Sequence, residues 1–258
     1  SGYGVAANPW GNVGSLRNTG VEFTVNTINI KSKQFQWTSN IVFSLNRNKV
    51  LSLDTETGTL PRTFQVGSET ATVTNTVVGQ PIGQFWGYKV IGRFDKPEDF
   101  YYKDANGNVK PVALPTGCSI GKSGTWLGDY RFADLNGDGV IDNNDQTFIG
   151  NPEPKFTFGF GNTFSWKGWD LSLQFTGSVG NKVLNYNRRR LEVTGATSNL
   201  LTSVLNYAKV EKIDPNGPDD YRNYYVSNAS STIMPRLYTE SYSNGNNRVS
   251  DAFVEDGS

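Results

Sequence analysis

The chain has 258 residues, with 24 Lys+Arg against 24 Asp+Glu, no histidine and a single cysteine, Cys118. Zero net charge removes the basic surplus that nucleic acid or an anionic membrane surface attracts; the missing histidine removes Ser-His-Asp triads, Cys-His pairs and His-based zinc sites; a lone cysteine forms no internal disulfide. Aromatic residues reach 13% at a mean hydropathy of −0.48, a balance that suits a soluble β-protein and equally a transmembrane barrel, whose strands hide apolar residues by alternation.

No run approaches the ~18 apolar residues of a membrane helix. The start, Ser1-Gly2-Tyr3-Gly4, is not a signal peptide, so the sequence reads as a processed protein or an internal piece of a longer one. The first patterned segment is 21–46. Val21, Phe23 and Val25 alternate with Glu22, Thr24 and Asn26; Lys31-Ser32-Lys33-Gln34 is a polar turn. Phe35, Trp37, Ile41, Phe43 and Leu45 then alternate with Gln36, Thr38, Asn40, Ser44 and Asn46, with Val42 as the apolar exception. Period-two alternation places each set on one side of a strand, so 19–48 is predicted to be a hairpin. Residues 80–92 add a further extended stretch.

Residues 134–145 carry the sharpest chemical motif, Asp-Leu-Asn-Gly-Asp-Gly-Val-Ile-Asp-Asn-Asn-Asp. With Asp134 as position 1, Asn136, Asp138, Val140, Asp142 and Asp145 fall at 3, 5, 7, 9 and 12, and Gly139 at 6. That is the spacing of EF-hand and dockerin calcium loops. Side-chain oxygens at 1, 3, 5, 9 and 12 and the Val140 carbonyl are a donor set for a hard cation, and Ile141 would anchor the loop. The shorter Asp at position 12 and the lack of flanking helices point to a structural Ca2+ rather than a switch. The bland reading is a solvated acidic turn.

The clearest alternation is at 156–179. Phe156, Phe158, Phe160, Phe164 and Trp166 share a face that Asn162 alone interrupts, opposite Thr157, Gly159, Gly161, Thr163 and Ser165. Lys167-Gly168 makes a two-residue turn. Trp169, Leu171, Leu173, Phe175 and Val179 follow, against Asp170, Ser172, Gln174, Thr176 and Ser178. Arms of about 11 residues match a tilted strand crossing a bilayer, and Trp166 and Trp169 beside the turn match an interfacial aromatic girdle.

Other signals are weaker. Arg188-Arg189-Arg190 reads as a solvated cluster after a strand end, with contact to an acidic ligand or partner as the alternative. Trp86, Tyr88 and Trp126, with Tyr101 and Tyr102, are candidates for stacking on sugar rings, and loop packing explains them as well. The pairs Glu98-Asp99 and Asp219-Asp220 give no acid/base geometry, so no enzyme is expected. Leu200, Leu201, Val204, Leu205 and Ala208 predict a short helix over 199–209 with Ser198 as N-cap. The rest of 211–250 reads as loop.

Connections alternate between very short (31–34, 167–168) and very long (about 51–155 and 180–258). Soluble sandwiches usually have shorter strands and loops of a few residues; outer-membrane barrels have short periplasmic turns and long extracellular loops. The predicted fold is therefore all-β, part of a large antiparallel transmembrane β-barrel with long extracellular loops. Four strands cannot close a barrel, so other strands are expected from elsewhere. The rival is a soluble secreted calcium-binding β-domain for adhesion or glycan binding.

Several blocks carry a family resemblance. Gly128-Asp129-Tyr130-Arg131-Phe132-Ala133-Asp134 leads into the acidic loop, which continues to Ile149-Gly150-Asn151-Pro152-Glu153-Pro154-Lys155 and, past a strand, to Trp166-Lys167-Gly168-Trp169-Asp170. Upstream, the Asn-x-Gly…Asn-x-Gly-x-Glu pattern of a strand entry runs over 12–22; downstream come Met234-Pro235-Arg236, Ser250-Asp251 and Val254-Glu255-Asp256-Gly257-Ser258. Together these resemble the SusC/RagA family of TonB-dependent outer-membrane transporters. The resemblance implies a plugged barrel of about 22 strands, import of oligosaccharide or peptide, a SusD-like surface lipoprotein, the TonB complex and outer-membrane lipid. Plug and TonB-box regions, with the remaining strands, are expected outside this sequence.

Overall fold

The computed structural model describes residues 12, 14–66, 69–192, 199–238 and 244–258. Four long strands form one antiparallel sheet: Gly14–Lys31, Phe35–Leu53, Phe156–Trp166 and Trp169–Val179, in that spatial order. Both expected hairpins are therefore present, and the first is longer than the alternation predicts. They lie side by side: Phe43 faces Phe158, Ile41 faces Phe160 and Trp37 faces Phe164. Among the described residues the sheet stays open at both edges.

Turn chemistry sets the register. Lys167 (φ 48°) and Gly168 (φ 87°) both lie at positive φ, the requirement of a type I′ turn, whose twist matches the flanking strands. Trp166 is thereby paired with Trp169. The two short turns are neighbours, since the Lys167 amide donates to the Gln34 carbonyl at 3.2 Å. In the first hairpin Asn29 is an extra residue, a bulge between Ile28 opposite Thr38 and Ile30 opposite Trp37.

A second body of short elements sits at the other end of the sheet. Its own four-stranded sheet runs Gln146–Gly150, Gln84–Tyr88, Glu69–Val77, Thr59–Val66. The pairing of Thr59–Val66 with Glu69–Val77 was not anticipated; the extended stretch within 80–92 was. Pairs of two- to four-residue strands tie the remaining loops together. The buried apolar residues belong to this body. One cluster holds Phe94, Phe100, Trp126, Leu127, Ala208, Tyr224 and Val226, with Phe94 stacked on Phe100 at 4.3 Å. Another holds Tyr88, Tyr130, Phe132 and Ile141. Of the four long strands only Val50, at the junction, reaches the core.

The predicted helix over 199–209 is a 3-10 turn, Thr202–Asn206, and Ser198 lies outside the described residues. Val204 and Ala208 are buried, whereas Leu200, Leu201 and Leu205 are exposed. Neighbouring chain takes the backbone groups a helix would use: the Ala208 amide donates to the Pro235 carbonyl, and Asn228 Nδ2 to the Tyr207 carbonyl. Within 211–250, Val210–Lys212 pairs with Tyr224–Val226, where only loop was expected.

Candidate functional site: two faces of the long-strand sheet

The apolar face of the sheet is uncovered. Val21, Phe23, Ile41, Phe158, Phe160, Leu171, Leu173 and Phe175 are each more than 40% exposed, and Trp169 is 77% exposed. Cross-strand registry makes them one surface, with Trp37 stacked on Phe164 at 5.6 Å and Phe43 on Phe156 at 5.5 Å. A contiguous apolar patch of this kind has no place in water. Along Phe35–Leu53 the band runs from Phe35 to Leu45. Ten residues at ~3.3 Å each, tilted by about 40°, span roughly 25 Å, the height of the lipid-facing band of an outer-membrane barrel. Indole rings at Trp37, Trp166 and Trp169 crowd its turn end, where an interfacial girdle belongs.

One polar seam crosses this face. Trp37 Nε1 and Ser39 Oγ both donate to Asn162 Oδ1, at 2.9 and 2.7 Å. Asn29 Nδ2 donates to Ser39 Oγ at 2.6 Å, and Thr27 Oγ1 to Asn29 Oδ1 at 2.9 Å. The seam links three strands. It explains how Asn162, the interruption in the alternation, is accommodated: its carbonyl oxygen is satisfied by neighbours on the same face.

The opposite face is polar and, in its middle, uncharged. Asn40 Nδ2 donates to Asn26 Oδ1 at 2.6 Å, and Thr163 and Ser172 hydroxyls meet at 3.2 Å. Gln174 lies across Gly161, where a Cβ would sit 2.5 Å from Gln174 Oε1. These residues, with Thr38, line a concavity of about 400 Å³. Amide and hydroxyl groups of this kind both donate and accept, so they suit a neutral hydrogen-bonding solute.

At the junction the Asn-Pro-Glu-Pro-Lys segment leads the chain back into the sheet. Glu153 accepts from Asn48 Nδ2 at 2.7 Å and Asn46 Nδ2 at 3.3 Å, while Arg47 Nη1 donates to the Lys155 carbonyl at 2.8 Å. Deeper in the loop body, Asp129 is fully buried. Its carboxylate accepts from Arg236 Nε (2.7 Å) and Nη2 (3.1 Å), Asn246 Nδ2 (2.8 Å), Asn244 Nδ2 (3.1 Å) and the Trp126 amide (2.7 Å). Burial pushes the Asp129 carboxyl up, against the pull of Arg236 and the amide donors. This knot ties the segment around Asp129 to Arg236, Asn244 and Asn246, which lie more than a hundred residues further along the chain.

The acidic loop is ordered by its own side chains. Asp134 accepts from the Gly137 and Gly139 amides at 2.7 and 2.9 Å, and Asp145, fully buried, from Leu135 and Asp142 at 2.8 Å each. Gly139 lies at φ 85°, the sharp turn that position 6 of such loops requires. Ile141 is buried as anticipated. Among the described residues no three His, Cys, Asp or Glu side chains converge as a metal cluster.

The aromatic candidates divide. Tyr88 and Trp126 are core residues, 5% exposed, so their faces are not open to a sugar. Trp86 packs edge-on against Phe148 at 5.0 Å. Tyr101 and Tyr102 are exposed. Of the arginine run, expected as a solvated cluster, only Arg190 is exposed to solvent. The run lies in the helix Tyr186–Leu191, Arg189 is buried, and Arg188 bridges Glu192 and Glu255 at 3.0 Å each.

No family model matches the chain. Curated proteins do. TonB-dependent receptor P26 of Formosa agariphila is 36% identical over 180 residues, 69% of this chain and 16% of that protein. TonB-dependent receptor P39 of the same organism is 30% identical over 250 residues, 84% of this chain and 23% of its own length. TonB-dependent receptor SusC of Bacteroides thetaiotaomicron is 26% identical over 230 residues, 85% of this chain and 20% of its own length. The RagAB peptide transporter shares the fold at a TM-score of 0.58 and 20% identity, over 95% of this chain and 22% of that one. The rival reading, a soluble calcium-binding domain, finds no support in these likenesses. With its uncovered apolar band, its short turns at one end and its relatives, the chain belongs to the SusC/RagA-type TonB-dependent receptors, and it spans about a fifth of the length of the curated relatives it matches.

Proposed function

We propose that the full-length protein imports an oligosaccharide or peptide across the outer membrane, energised by the TonB complex and working with a SusD-like surface lipoprotein. The observation that carries this is the exposed apolar band about 25 Å tall, backed by an uncharged amide and hydroxyl wall. In this placement the turns at 31–34 and 167–168 face the periplasm, and the loop body faces outward. The polar wall around Asn26, Asn40 and Gln174 borders the cargo route. A deletion strain complemented with the full-length gene tests the reading through uptake of labelled glycans and peptides. Equal uptake of every cargo with and without the gene would sink it.

We further propose that Asp134, Asn136, Asp138, Asp142, Asp145 and the Val140 carbonyl hold a structural Ca2+. Spacing, an oxygen-only donor set and Gly139 support it. The ion would rigidify a segment that others lean on, since the Ile141 carbonyl accepts from the Thr116 amide at 3.1 Å and from Arg248 Nη1 at 3.4 Å. Extracellular sites bind at about 10⁻⁴–10⁻³ M, so saturating calcium should stabilise by roughly 1–3 kcal/mol. Thermal melts with Ca2+ and with chelator check this. An unchanged wild-type melt, or an equal shift in Asp134→Ala, removes the site.

A further inference from the structure

The apolar face ends abruptly on the loop-body side. Moving up the first hairpin on that face, Phe23–Phe43 and Val21–Leu45 are followed by Thr19–Arg47 and then Arg17–Lys49. Arg17 and Lys49 are directly opposite each other, and both are exposed. Like charges so placed repel and weaken the pairing. Among the described residues neither has an ion-pair partner. Arg47, between them and the apolar band, is also exposed and spends Nη1 on the carbonyls of Asn46 and Lys155.

Depth identifies the ligand. Arg47 and Lys49 lie two and four residues beyond Leu45, so roughly 5 and 10 Å above the band edge at a strand tilt of about 40°. That is the headgroup zone of the leaflet on the loop side. Cations at the turn end are arranged differently. Lys31 pairs with Gln36 on the polar face, while Lys33 and Lys167 occupy the turn tips. Only at the loop end do cations continue the lipid-facing surface.

We propose that Arg17 and Lys49, flanked by Arg47, form a site for the phosphate-bearing headgroup of an outer-leaflet lipid. A phosphate between them turns the repulsion into two charge-assisted hydrogen bonds, and a guanidinium suits its geometry. The site fixes the height of the hairpin in the membrane. The inference rests on the membrane placement proposed above.

The test uses the full-length protein, wild type and Arg17→Gln/Lys49→Gln, in nanodiscs of zwitterionic phospholipid. Arg47 is left intact because it caps backbone carbonyls. Purified lipopolysaccharide, the same lipid with its phosphates removed, and inorganic phosphate are the probes, and native mass spectrometry counts retained lipid. The double variant should retain at least about tenfold less lipopolysaccharide, the loss expected for one or two charge-assisted bonds. Dephosphorylated lipid should bind the wild type no better than lipopolysaccharide binds the variant, and inorganic phosphate should displace little. Equal retention by wild type and variant, or by intact and dephosphorylated lipid, overturns the site. Full displacement by inorganic phosphate overturns the lipid as its ligand. Unheated gel mobility separates the two levels: a wild type that fails to insert defeats the membrane placement and the site with it, whereas normal insertion with unchanged retention defeats the site alone.

Discussion

Replacing Phe160 with arginine puts the membrane placement at risk in one step. Phe160 sits on the apolar face between Ile41 and Phe175. It is six residues from Trp166, about 15 Å up a tilted strand from the aromatic girdle, close to the middle of a ~25 Å band. A charged arginine at that depth should cost roughly 2–4 kcal/mol, at the midpoint about a hundredfold in folding equilibrium. Thr163→Arg is the matched control. It lies three residues away on the polar face, opposite Thr38 and Ser172, where water reaches the new charge and the cost should stay within about 1 kcal/mol. Both full-length variants would be folded from denaturant into phospholipid vesicles, with folded fraction read from unheated gel mobility across a guanidinium series. Phe160→Arg must be the worse variant by at least about 1.5 kcal/mol. Equal costs, or a larger cost for Thr163→Arg, would mean that the face identified as lipid-facing is not.

Three further outcomes are expected. Lys167, at φ 48° in the turn, carries left-handed strain that Asn or Gly relieves, so Lys167→Asn should stabilise the refolded protein by about 0.5–1 kcal/mol; a destabilised variant would contradict the turn assignment. Asp129→Asn leaves Arg236, whose side chain is 10% exposed, without its anion, at a cost of about 3–5 kcal/mol, visible as faster hydrogen exchange at 126–130 and 234–236; protection matching the wild type would refute the knot. Arg188 and Asn185 hold the Glu255 carboxyl below its ordinary 4.5, and Ser258 and Lys182 hold Asp256 down to about 2. Depressed folded values give stability that is full above about 4.5 and is lost as pH falls towards 2. Exchange in the paired strands Lys182–Leu184 and Val254–Asp256 should accelerate over that window, and less so in Arg188→Gln; a flat profile would show that these ion pairs contribute nothing.

The sheet was legible because its cause is local. Period-two alternation at 156–179 and 21–46 needs no partner to be recognised, and Lys167-Gly168 announces its own turn. The strand pair 59–77 was hidden by Pro61 and by a bulge between Arg62 and Thr63, which break the alternation. The acidic loop was visible through spacing, whereas the fate of the arginines was not. Arg188 looked solvated because one of its partners, Glu255, is 67 residues distant. Asp129 and Arg236 each fell inside a recognised block, yet nothing in either block says that the two touch. The helix expected over 199–209 failed for the same reason: periodicity was present, but its backbone bonds go to segments far along the chain.

The seam of Thr27, Asn29, Ser39, Asn162 and Trp37 has a consequence for assembly. In water these groups would be satisfied in any arrangement, so they would select nothing. In hydrocarbon an unsatisfied polar group costs several kcal/mol, and the four hydrogen bonds of this seam form when Ser39 stands opposite both Thr27 and Asn162. Sliding one hairpin past the other by two residues would preserve the apolar alternation almost unchanged but strand the hydroxyls and amides against acyl chains. The bilayer therefore acts as a proofreader of strand alignment, rejecting an error that hydrophobic patterning alone would let pass.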